Sequence, residues 1–273
     1  MRKRIFRGAI YFILALSIPV ISWSIKENGP ELGRNVRRDT LEHPATPVVV
    51  TPEETFEKYV SEIYATAGLG AYHLDREVFK KAITGYYNFK TSNLVSSDKQ
   101  IISIVDFNKP STEKRLWIID LAAGKVLFNT FVAHGQGSGD NMATTFSNTS
   151  ESHQSSLGFY ITSGTYQGKH GLSLRLNGMD KGYNNNALNR AVVVHGADYV
   201  SQGFINQHGR LGRSYGCPAI PVELTPAIIN AIKGRTALFI NGPSSVNFAS
   251  AYLDETTAAA HFDRGQLYAG NAI

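Results

Sequence analysis

The feature that most constrains the fold is a change of hydrophobic period near residue 93, from helical spacing before it to strand-like spacing after it. Residues 115–121 and 125–133 are apolar runs joined by a short Ala-Ala-Gly turn at 122–124, which predicts a β-hairpin. Helical pattern beyond residue 93 is confined to short pieces, chiefly 226–233. Further apolar runs between glycine-rich segments predict strands at residues 100–107, 157–163, 172–176, 191–194 and 236–240. The body of the chain is therefore predicted to be mainly β.

Residues 51–92 have the pattern of two amphipathic helices that precede this β-rich body. Thr51 is followed by a proline and two glutamates, which is typical of a helix N-terminus, and Asp75 is in position to cap the second helix. We predict a small helical accessory segment at 51–92, a β-rich domain at 93–245 and a C-terminal tail at 246–273. Whether the tail covers a functional cleft is left open by the sequence.

The N-terminal 50 residues have the composition of a targeting segment and a linker. Three basic residues at positions 2–4 precede an uncharged apolar run at 8–25, which is 18 residues long and just sufficient to span a bilayer. No clean cleavage site is evident. We predict a signal peptide or signal anchor at 1–25, the alternative being a buried core helix. The polar, proline-containing residues 26–50 are predicted to be a linker.

The net charge of +5 is concentrated at the N-terminus. The first 38 residues contain eight basic and two acidic residues, a net of +6, so that the remainder of the chain carries −1. A nucleic-acid-binding function, for which a basic surface would be needed, is therefore not supported. The basic segment fits membrane targeting better.

The chain contains one cysteine, Cys217, which excludes an intramolecular disulfide and a cysteine-rich zinc site. It lies between Gly216 and Pro218, after a polar Arg-Ser-Tyr sequence. His195 ends an apolar run 22 residues earlier, and the glycine-rich stretch between them is predicted to be a long loop able to return to it. The alternative is an inert, buried thiol, which is the default for a free cysteine.

A thiol and an imidazole together support nucleophilic catalysis. A free thiol has a pKa of about 8.5, and a neighbouring imidazole that accepts its proton produces the reactive thiolate. Backbone N–H groups of Cys217, Gly216 and Tyr215 are candidates to stabilise the oxyanion of a tetrahedral intermediate. A third group usually orients the base, and here Ser214 or a carbonyl of the same loop is a candidate. Asp198 is near His195 in sequence, but three residues of separation need not bring it to face the ring.

The pair His195-Gly196 followed by Ser214-Tyr-Gly-Cys217 resembles the signature of the murein L,D-transpeptidase catalytic domain family. Three upstream segments support the resemblance, at residues 116–120, 134–135 and 155–160, and it covers about residues 95–243. It implies a β-rich catalytic fold, with Cys217 as the acyl-accepting nucleophile, His195 as its base and Ser214 lining the site. It further implies peptidoglycan stem peptides as partners and an exported, periplasmic or cell-wall location, with attachment to the inner membrane if the N-terminal segment is uncleaved.

Two positions depart from the family pattern. Tyr215 stands where many members have histidine, and Ala219 stands where many have arginine or asparagine. His208 or Arg213 are candidates to replace the missing histidine. Contacts with substrate are expected from Gly196, Arg213 and His134, although a histidine in the polar, glycine-rich loop at 134–139 is more often an ordinary loop residue.

Several functions are compatible with the sequence. The favoured function is L,D-transpeptidation through a thioester on Cys217, and the alternatives are an L,D-carboxypeptidase that uses water as acceptor and an inert wall-binding or anchored scaffold protein. A cysteine protease acting on proteins is disfavoured, because the papain-type surroundings of the cysteine are missing and the body is β-rich. No cofactor is expected, and no metal, because no close spacing of histidine, cysteine and carboxylates provides converging ligands.

Overall fold

The computed structural model of the protein describes the backbone of residues 50–270 and the side chains of residues 50–264. The predicted signal or anchor segment at 1–25 lies outside the described residues, as does the predicted linker except for its last residue. Within the described part of the chain, no helix is both long and apolar enough to cross a membrane.

Eight strands form a single sheet with the order β3-β2-β1-β8-β4-β5-β6-β7. Most neighbours are antiparallel, whereas β1 pairs with β8, and β6 with β7, in parallel. The strands are β1 (Ile101–Asp106), β2 (Leu116–Asp120), β3 (Lys125–Thr130), β4 (Gly158–Gly168), β5 (Gly171–Gly178), β6 (Val193–Gly196), β7 (Ala219–Ile220) and β8 (Ala237–Asn241). The predicted strands are thus present, and the predicted mainly β domain with an N-terminal helical element is confirmed.

Between residues 50 and 270, five α-helices accompany the sheet: α1 (Pro52–Thr66), α2 (Arg76–Thr91), α3 (Gln202–His208), α4 (Thr225–Ile232) and α5 (Glu255–Gly270). The predicted caps of the first two are confirmed. Thr51 accepts from the backbone N–H of Glu54, whose side chain accepts from the Thr51 N–H, so the pair forms a capping box. Asp75 accepts from the backbone N–H groups of Glu77 and Val78 in the first turn of α2.

Both faces of the central strands are buried, and each belongs to a separate apolar cluster. On one face, Ile102, Trp117 and Phe239 pack with the side chains of α1, α2 and α5. On the other, Ile118 and Leu238 pack with the side chains of α4. Burial on both sides explains why these strands are nearly continuous apolar runs rather than strictly alternating ones.

The C-terminal residues join the helical layer. Phe262 of α5 packs against Phe56 of α1 and Tyr87 of α2, with ring centroids 5.8 and 5.2 Å apart. At the contact between α2 and the sheet, a Cβ on Gly85 would lie 2.0 Å from the ring of Phe159, so only glycine permits this approach. The three helices therefore form one layer over the sheet face.

The sequence-based boundaries differ from the structure at the edge β5-β6-β7. The stretch between His195 and Cys217 was expected to be a loop, but it contains α3, which Ser201 caps and which ends at Gly209 in a left-handed conformation. The two-residue strand β7 carries too little sequence signal to be predicted. β4 extends to Gly168 past a bulge and forms a long hairpin with β5, because cross-strand pairing continues beyond the buried apolar residues.

Candidate active site

The segment that carries Cys217 is held on two sides by backbone pairing. Ala219 of β7 pairs in parallel with His195 of β6 and in antiparallel fashion with Ala133. Cys217 lies two residues before Ala219, and Val193 lies two residues before its partner His195, so the same register brings Cys217 beside Val193. The Val193 backbone nitrogen lies 3.4 Å from the Cys217 Sγ atom. Register, rather than proximity in sequence, therefore places the thiol next to β6, the strand that carries His195.

His195 is oriented by its own neighbour. Its Nδ1 atom lies 2.9 Å from the carbonyl oxygen of Gly196. Because a carbonyl oxygen only accepts, Nδ1 carries the proton in the neutral ring, and Nε2 keeps its lone pair free to accept one. The orienting carbonyl was expected in the loop of Ser214; it lies instead on β6, directly after the histidine. Asp198 is exposed and forms no hydrogen bond with the ring.

Cys217 and His195 line the same cleft, which has a volume of about 600 Å³. The Cys217 side chain is half-buried, and its thiol lies 3.6 Å from the carbonyl oxygen of Ala191, to which it donates. A thiol that can reach solvent and shares a cleft with an imidazole whose Nε2 is unprotonated has the components needed for nucleophilic catalysis.

Burial shifts the pKa values of both groups towards their neutral forms. It raises the pKa of the Cys217 thiol, an effect that the Val193 N–H and the guanidinium of Arg190 partly oppose. It lowers the pKa of His195, where the Gly196 carbonyl opposes the shift and the charges of His170 and Lys169 add to it. Both shifts favour the uncharged forms, a thiol on Cys217 and a neutral imidazole on His195.

The turn before the cysteine is fastened by Ser214. Its hydroxyl donates to the carbonyl oxygen of Cys217 at 2.6 Å and accepts from the Gly216 N–H at 3.1 Å. Ser214 thus lines the cleft and shapes the turn but does not contact His195, which corrects the expectation that it orients the base. Gly216 has a φ of +117°, and a Cβ there would lie 2.7 Å from the Gln154 carbonyl oxygen, so glycine is required.

The same hydrogen bonds change the candidate oxyanion donors. The Gly216 N–H is already used by Ser214 and is not free to bind a developing oxyanion. The N–H groups of Tyr215 and Cys217 have no hydrogen-bond acceptor among the described residues. These two remain the candidates for stabilising negative charge beside the thiol.

Aromatic rings form two walls of the cleft. On one wall, the ring of His170, at the tip of the β4–β5 hairpin, stacks on His195 with centroids 4.5 Å apart. On the other, Tyr215 stacks on His153 at 4.3 Å. Tyr215 is 66% exposed, so the residue that replaces the usual motif histidine presents a phenol ring at the mouth of the cleft. His208, a candidate substitute for that histidine, lies on α3 and stacks on Phe204 instead.

Three predicted substrate contacts have different outcomes. Arg213 lines the cleft, donates to the Gly139 carbonyl at 2.9 Å and lies 3.3 Å from the Asp140 carboxylate. His134 is fully buried behind the cleft, and its Nδ1 accepts from the equally buried Arg115 at 2.8 Å, so the expectation that it contacts substrate is corrected. Gly196 does not line the cleft either; a Cβ there would lie 2.6 Å from the Thr225 hydroxyl.

Among the described residues, no group of three or more histidine, cysteine, aspartate or glutamate side chains is placed to hold a metal ion.

Comparison with known proteins identifies the domain. A sequence model of the L,D-transpeptidase catalytic domain matches residues 71–241, more than half of the chain. The chain belongs to the L,D-transpeptidase catalytic domain family. The match to this family begins within the helical segment, before the predicted domain start at residue 93. No curated protein matches the sequence.

Solved structures similar to this family member include three from bacteria. An L,D-transpeptidase from Mycobacterium smegmatis is 10% identical, with a TM-score of 0.33, over 52% of this chain and 59% of the other. The helical cell shape determining protein of Campylobacter jejuni is 14% identical, with a TM-score of 0.37, over 69% and 65%. An L,D-transpeptidase from Xylanimonas cellulosilytica is 12% identical, with a TM-score of 0.31, over 61% and 80%.

The sequence did not identify several residues that line the cleft of this family member. Arg190 lies five residues before His195, in a polar stretch without a motif. Tyr166, Lys169 and His170 come from the β4–β5 hairpin, whose extension past the apolar residues was not predicted. Tyr199 follows β6, and burial together with the nearby Cys217 raises its pKa to about 12. A polar residue in a loop carries no sequence signal that distinguishes a cleft from the open surface.

Proposed function

We propose that the protein is an exported cysteine acyltransferase that carries out L,D-transpeptidation of peptidoglycan stem peptides. The observation that carries the proposal is the shared cleft of Cys217 and His195 within the matched family domain. The single cysteine of the chain lies next to β6. This strand carries His195, whose Nδ1 atom is hydrogen-bonded to the Gly196 carbonyl. Family membership supports the reaction class, and the apolar segment at 8–25 supports export.

In the proposed first step, His195 Nε2 accepts the thiol proton and the Cys217 sulfur attacks the carbonyl carbon of the bond after the third, diamino-acid residue of a stem tetrapeptide. The N–H groups of Tyr215 and Cys217 stabilise the oxyanion. The C–N bond breaks, and the proton on His195 passes to the amine of the departing D-alanine. The product is a thioester between the tripeptide and Cys217.

In the proposed second step, the amine of a neighbouring stem peptide attacks the thioester carbonyl and gives its proton to His195, and the thiol is regenerated. Attack by an amine forms a cross-link, whereas attack by water makes the protein a carboxypeptidase. The two outcomes share the same thioester and differ only in the acceptor.

The test is intact-protein mass spectrometry of the full chain mixed with a stem tetrapeptide, with Cys217→Ala as the matched control. We expect an adduct of tripeptide mass on the wild-type chain, release of D-alanine, and neither product with Cys217→Ala. A cross-linked dimer of stem peptides supports transpeptidation, and free tripeptide as the sole product identifies the carboxypeptidase. If folded wild-type protein gives neither adduct nor product, the proposal is wrong and the inert scaffold is favoured.

A second measurement separates an enzyme from a scaffold without substrate. Alkylation of the only cysteine by iodoacetamide reports the reactivity of the thiol directly. We expect alkylation near neutral pH to be faster in the wild type than in His195→Gln, because the imidazole accepts the thiol proton. An equal rate in the wild type and in His195→Gln argues against a base that acts on this thiol.

A further inference from the structure

Arg190 is a cleft residue whose charge no carboxylate neutralises. Its Nη1 atom donates to the Ser147 carbonyl at 2.8 Å and to the Ser156 hydroxyl at 2.5 Å. Its Nη2 atom donates to the Gln154 carbonyl at 2.7 Å and to the Ser152 hydroxyl at 3.3 Å. All four acceptors are neutral, and no acidic side chain lies within ion-pair distance of this guanidinium among the described residues. The positive charge therefore remains uncompensated in a half-buried position, where solvent screens it incompletely.

The guanidinium lies against the turn of the nucleophile. A Cβ on Gly216 would be 3.2 Å from Arg190 Nη2 and 2.7 Å from the Gln154 carbonyl that Arg190 binds. On the other side, Ala191 directly follows Arg190, and its carbonyl accepts from the Cys217 thiol. The arginine thus lies close to the residue before the nucleophile and precedes the residue that the thiol contacts. Its four hydrogen bonds fasten the segment 147–156.

The other cations of the cleft are differently placed. Arg213 is paired with Asp140 at 3.3 Å, and Lys169 lies exposed at the tip of the β4–β5 hairpin. Besides Arg190 and the thiol, the charged or titratable side chains that line the cleft are the cations and imidazoles of Lys169, Arg213, His170 and His195 and the phenols of Tyr166, Tyr199 and Tyr215. None of these is at once permanently cationic, half-buried and without a carboxylate partner. Arg190 is the cleft residue that has all three properties.

We propose that Arg190 is a positioning residue that fastens the segment 147–156 beside the Gly216–Cys217 turn and stabilises the Cys217 thiolate through its unneutralised guanidinium charge. The proposal rests on the proposed role of Cys217 as nucleophile. The Nη1 and Nη2 atoms of Arg190 already donate to four protein acceptors and are not available to bind a substrate carboxylate in a bidentate manner. In this proposal, Arg190 acts through its charge on the Cys217 sulfur. The direction of its effect on the thiol pKa, which it lowers, agrees with this role.

The test is the pH dependence of Cys217 alkylation by iodoacetamide in the full chain, followed by intact-protein mass. In Arg190→Gln, which removes the charge, we expect the midpoint of the profile to rise by about one pH unit, because an opposite charge near a thiolate shifts its pKa by this order. Arg190→Lys keeps the charge and should restore most of the shift. Two controls should leave the midpoint unchanged: Ser152→Ala, which removes one contact of Arg190, and Arg175→Gln, which removes an exposed cation over Tyr166.

An unchanged midpoint in folded Arg190→Gln, as judged by circular dichroism, overturns the proposal. If Arg190→Gln does not fold, Arg190→Lys decides: a midpoint close to the wild type supports the charge effect, and a rise as large as one unit overturns it. In steady-state turnover of a stem tetrapeptide, Arg190→Gln should lower kcat at neutral pH with little change in KM. Failure of acyl transfer in the wild type would overturn the proposed function alone, because the alkylation profile tests the arginine without substrate.

Discussion

The helix-covered region and the cleft region of this molecule are both buried, but different forces hold them. The helix-covered region, which consists of α1, α2, α5 and the sheet face beneath them, is packed by apolar and aromatic side chains such as Phe56, Trp117 and Phe159. The cleft region, which consists of the edge β5-β6-β7 and the loops 134–156 and 209–218, is held by side chains that bond to the backbone, such as Ser214 and Arg190.

Backbone strain occurs in both regions. Glu151, His153 and Ala191 in or beside the cleft region have φ values of 56°, 52° and 52°, and His73 and Asn93, which flank α2, have φ values of 54° and 52°. The regions differ instead in the contacts that hold them, because hydrogen bonds are directional, whereas apolar contacts are not. Dispersed apolar burial therefore stabilises this fold, and directional hydrogen bonds position the residues proposed for its chemistry. Substitutions in one region should therefore change stability, and substitutions in the other should change reactivity.

The largest expected effect on stability comes from Phe159→Ala in the helix-covered region. Phe159 is 1% exposed and its ring lies 4.4 Å from that of Phe239, so truncation leaves a cavity. We expect a loss of about 3–5 kcal/mol in the free energy of unfolding, measured by denaturant titration. Phe204→Ala on α3, the same change at a half-buried position, should cost about 1 kcal/mol or less. Equal costs would show that the helix-covered region is not the main source of stability.

The next effect is a loss of stability in acid that originates behind the cleft. Burial and the charge of Arg115 lower the pKa of His134 to about 4, whereas an unfolded histidine titrates near 6.5. Between these values the unfolded chain binds a proton that the folded chain does not, so the free energy of unfolding falls as the pH drops from about 6.5 to about 4. The contribution of this ring is on the order of 3 kcal/mol over that window.

The control for this prediction is His134→Gln, whose amide oxygen can accept from Arg115 without titrating. The difference between the two pH profiles reports the contribution of the His134 ring alone. Other groups contribute equally to both profiles: His195 and His261, whose pKa values burial also lowers, and Asp106, whose carboxyl pKa burial raises. Parallel profiles for the wild type and His134→Gln between pH 4 and 6.5 would contradict the prediction.

A smaller effect, on turnover, is expected from Ser214→Ala in the cleft region. The change removes the bond to the Cys217 carbonyl and leaves the buried Gly216 N–H without an acceptor, so the turn loosens. We expect kcat to fall by about tenfold, which corresponds to about 1.4 kcal/mol, in stem-peptide turnover. Ser201→Ala, which removes the cap of α3 away from the cleft, should leave kcat unchanged. A full wild-type rate for Ser214→Ala would mean that the turn does not need this hydroxyl.

The smallest effect is expected from Thr51→Ala at the start of the helical layer. Loss of the capping box should reduce the free energy of unfolding by about 1 kcal/mol. Thr55→Ala, one turn later with the cap intact, should be neutral or slightly stabilising because alanine is the better helix former. Both variants should turn over substrate like the wild type, and a marked loss of activity in either would break the division between the two regions.

The sequence was a good guide to the helix-covered region and to the identity of the central site residues. Caps at Thr51 and Asp75 and the apolar runs of the central strands are local signals, since each depends on residues a few positions apart. The sequence also predicted that Cys217 and His195 belong to one site. That prediction came from the motif and the family resemblance, because hydrophobic periodicity alone does not relate the two segments.

The surroundings of that pair could not be predicted. The carbonyl that orients His195, the loss of the Gly216 N–H to Ser214, and the burial of His134 against Arg115 all depend on hydrogen bonds between segments distant in sequence or on the side to which a residue faces. The same is true of β7, whose two residues form a strand only because β6 and Ala133 are already on either side of them.

By itself, then, the sequence determined the element types, the family and the two residues proposed for the chemistry, because local periodicity and a short motif carry that information along the chain. Only the tertiary structure decided which walls the cleft has, that His170 stacks on His195, and that Arg190 places a permanent charge beside the turn of the thiol. The physical reason is that burial, charge compensation and hydrogen-bond direction are properties of the space between segments, and that space exists only once the sheet has formed.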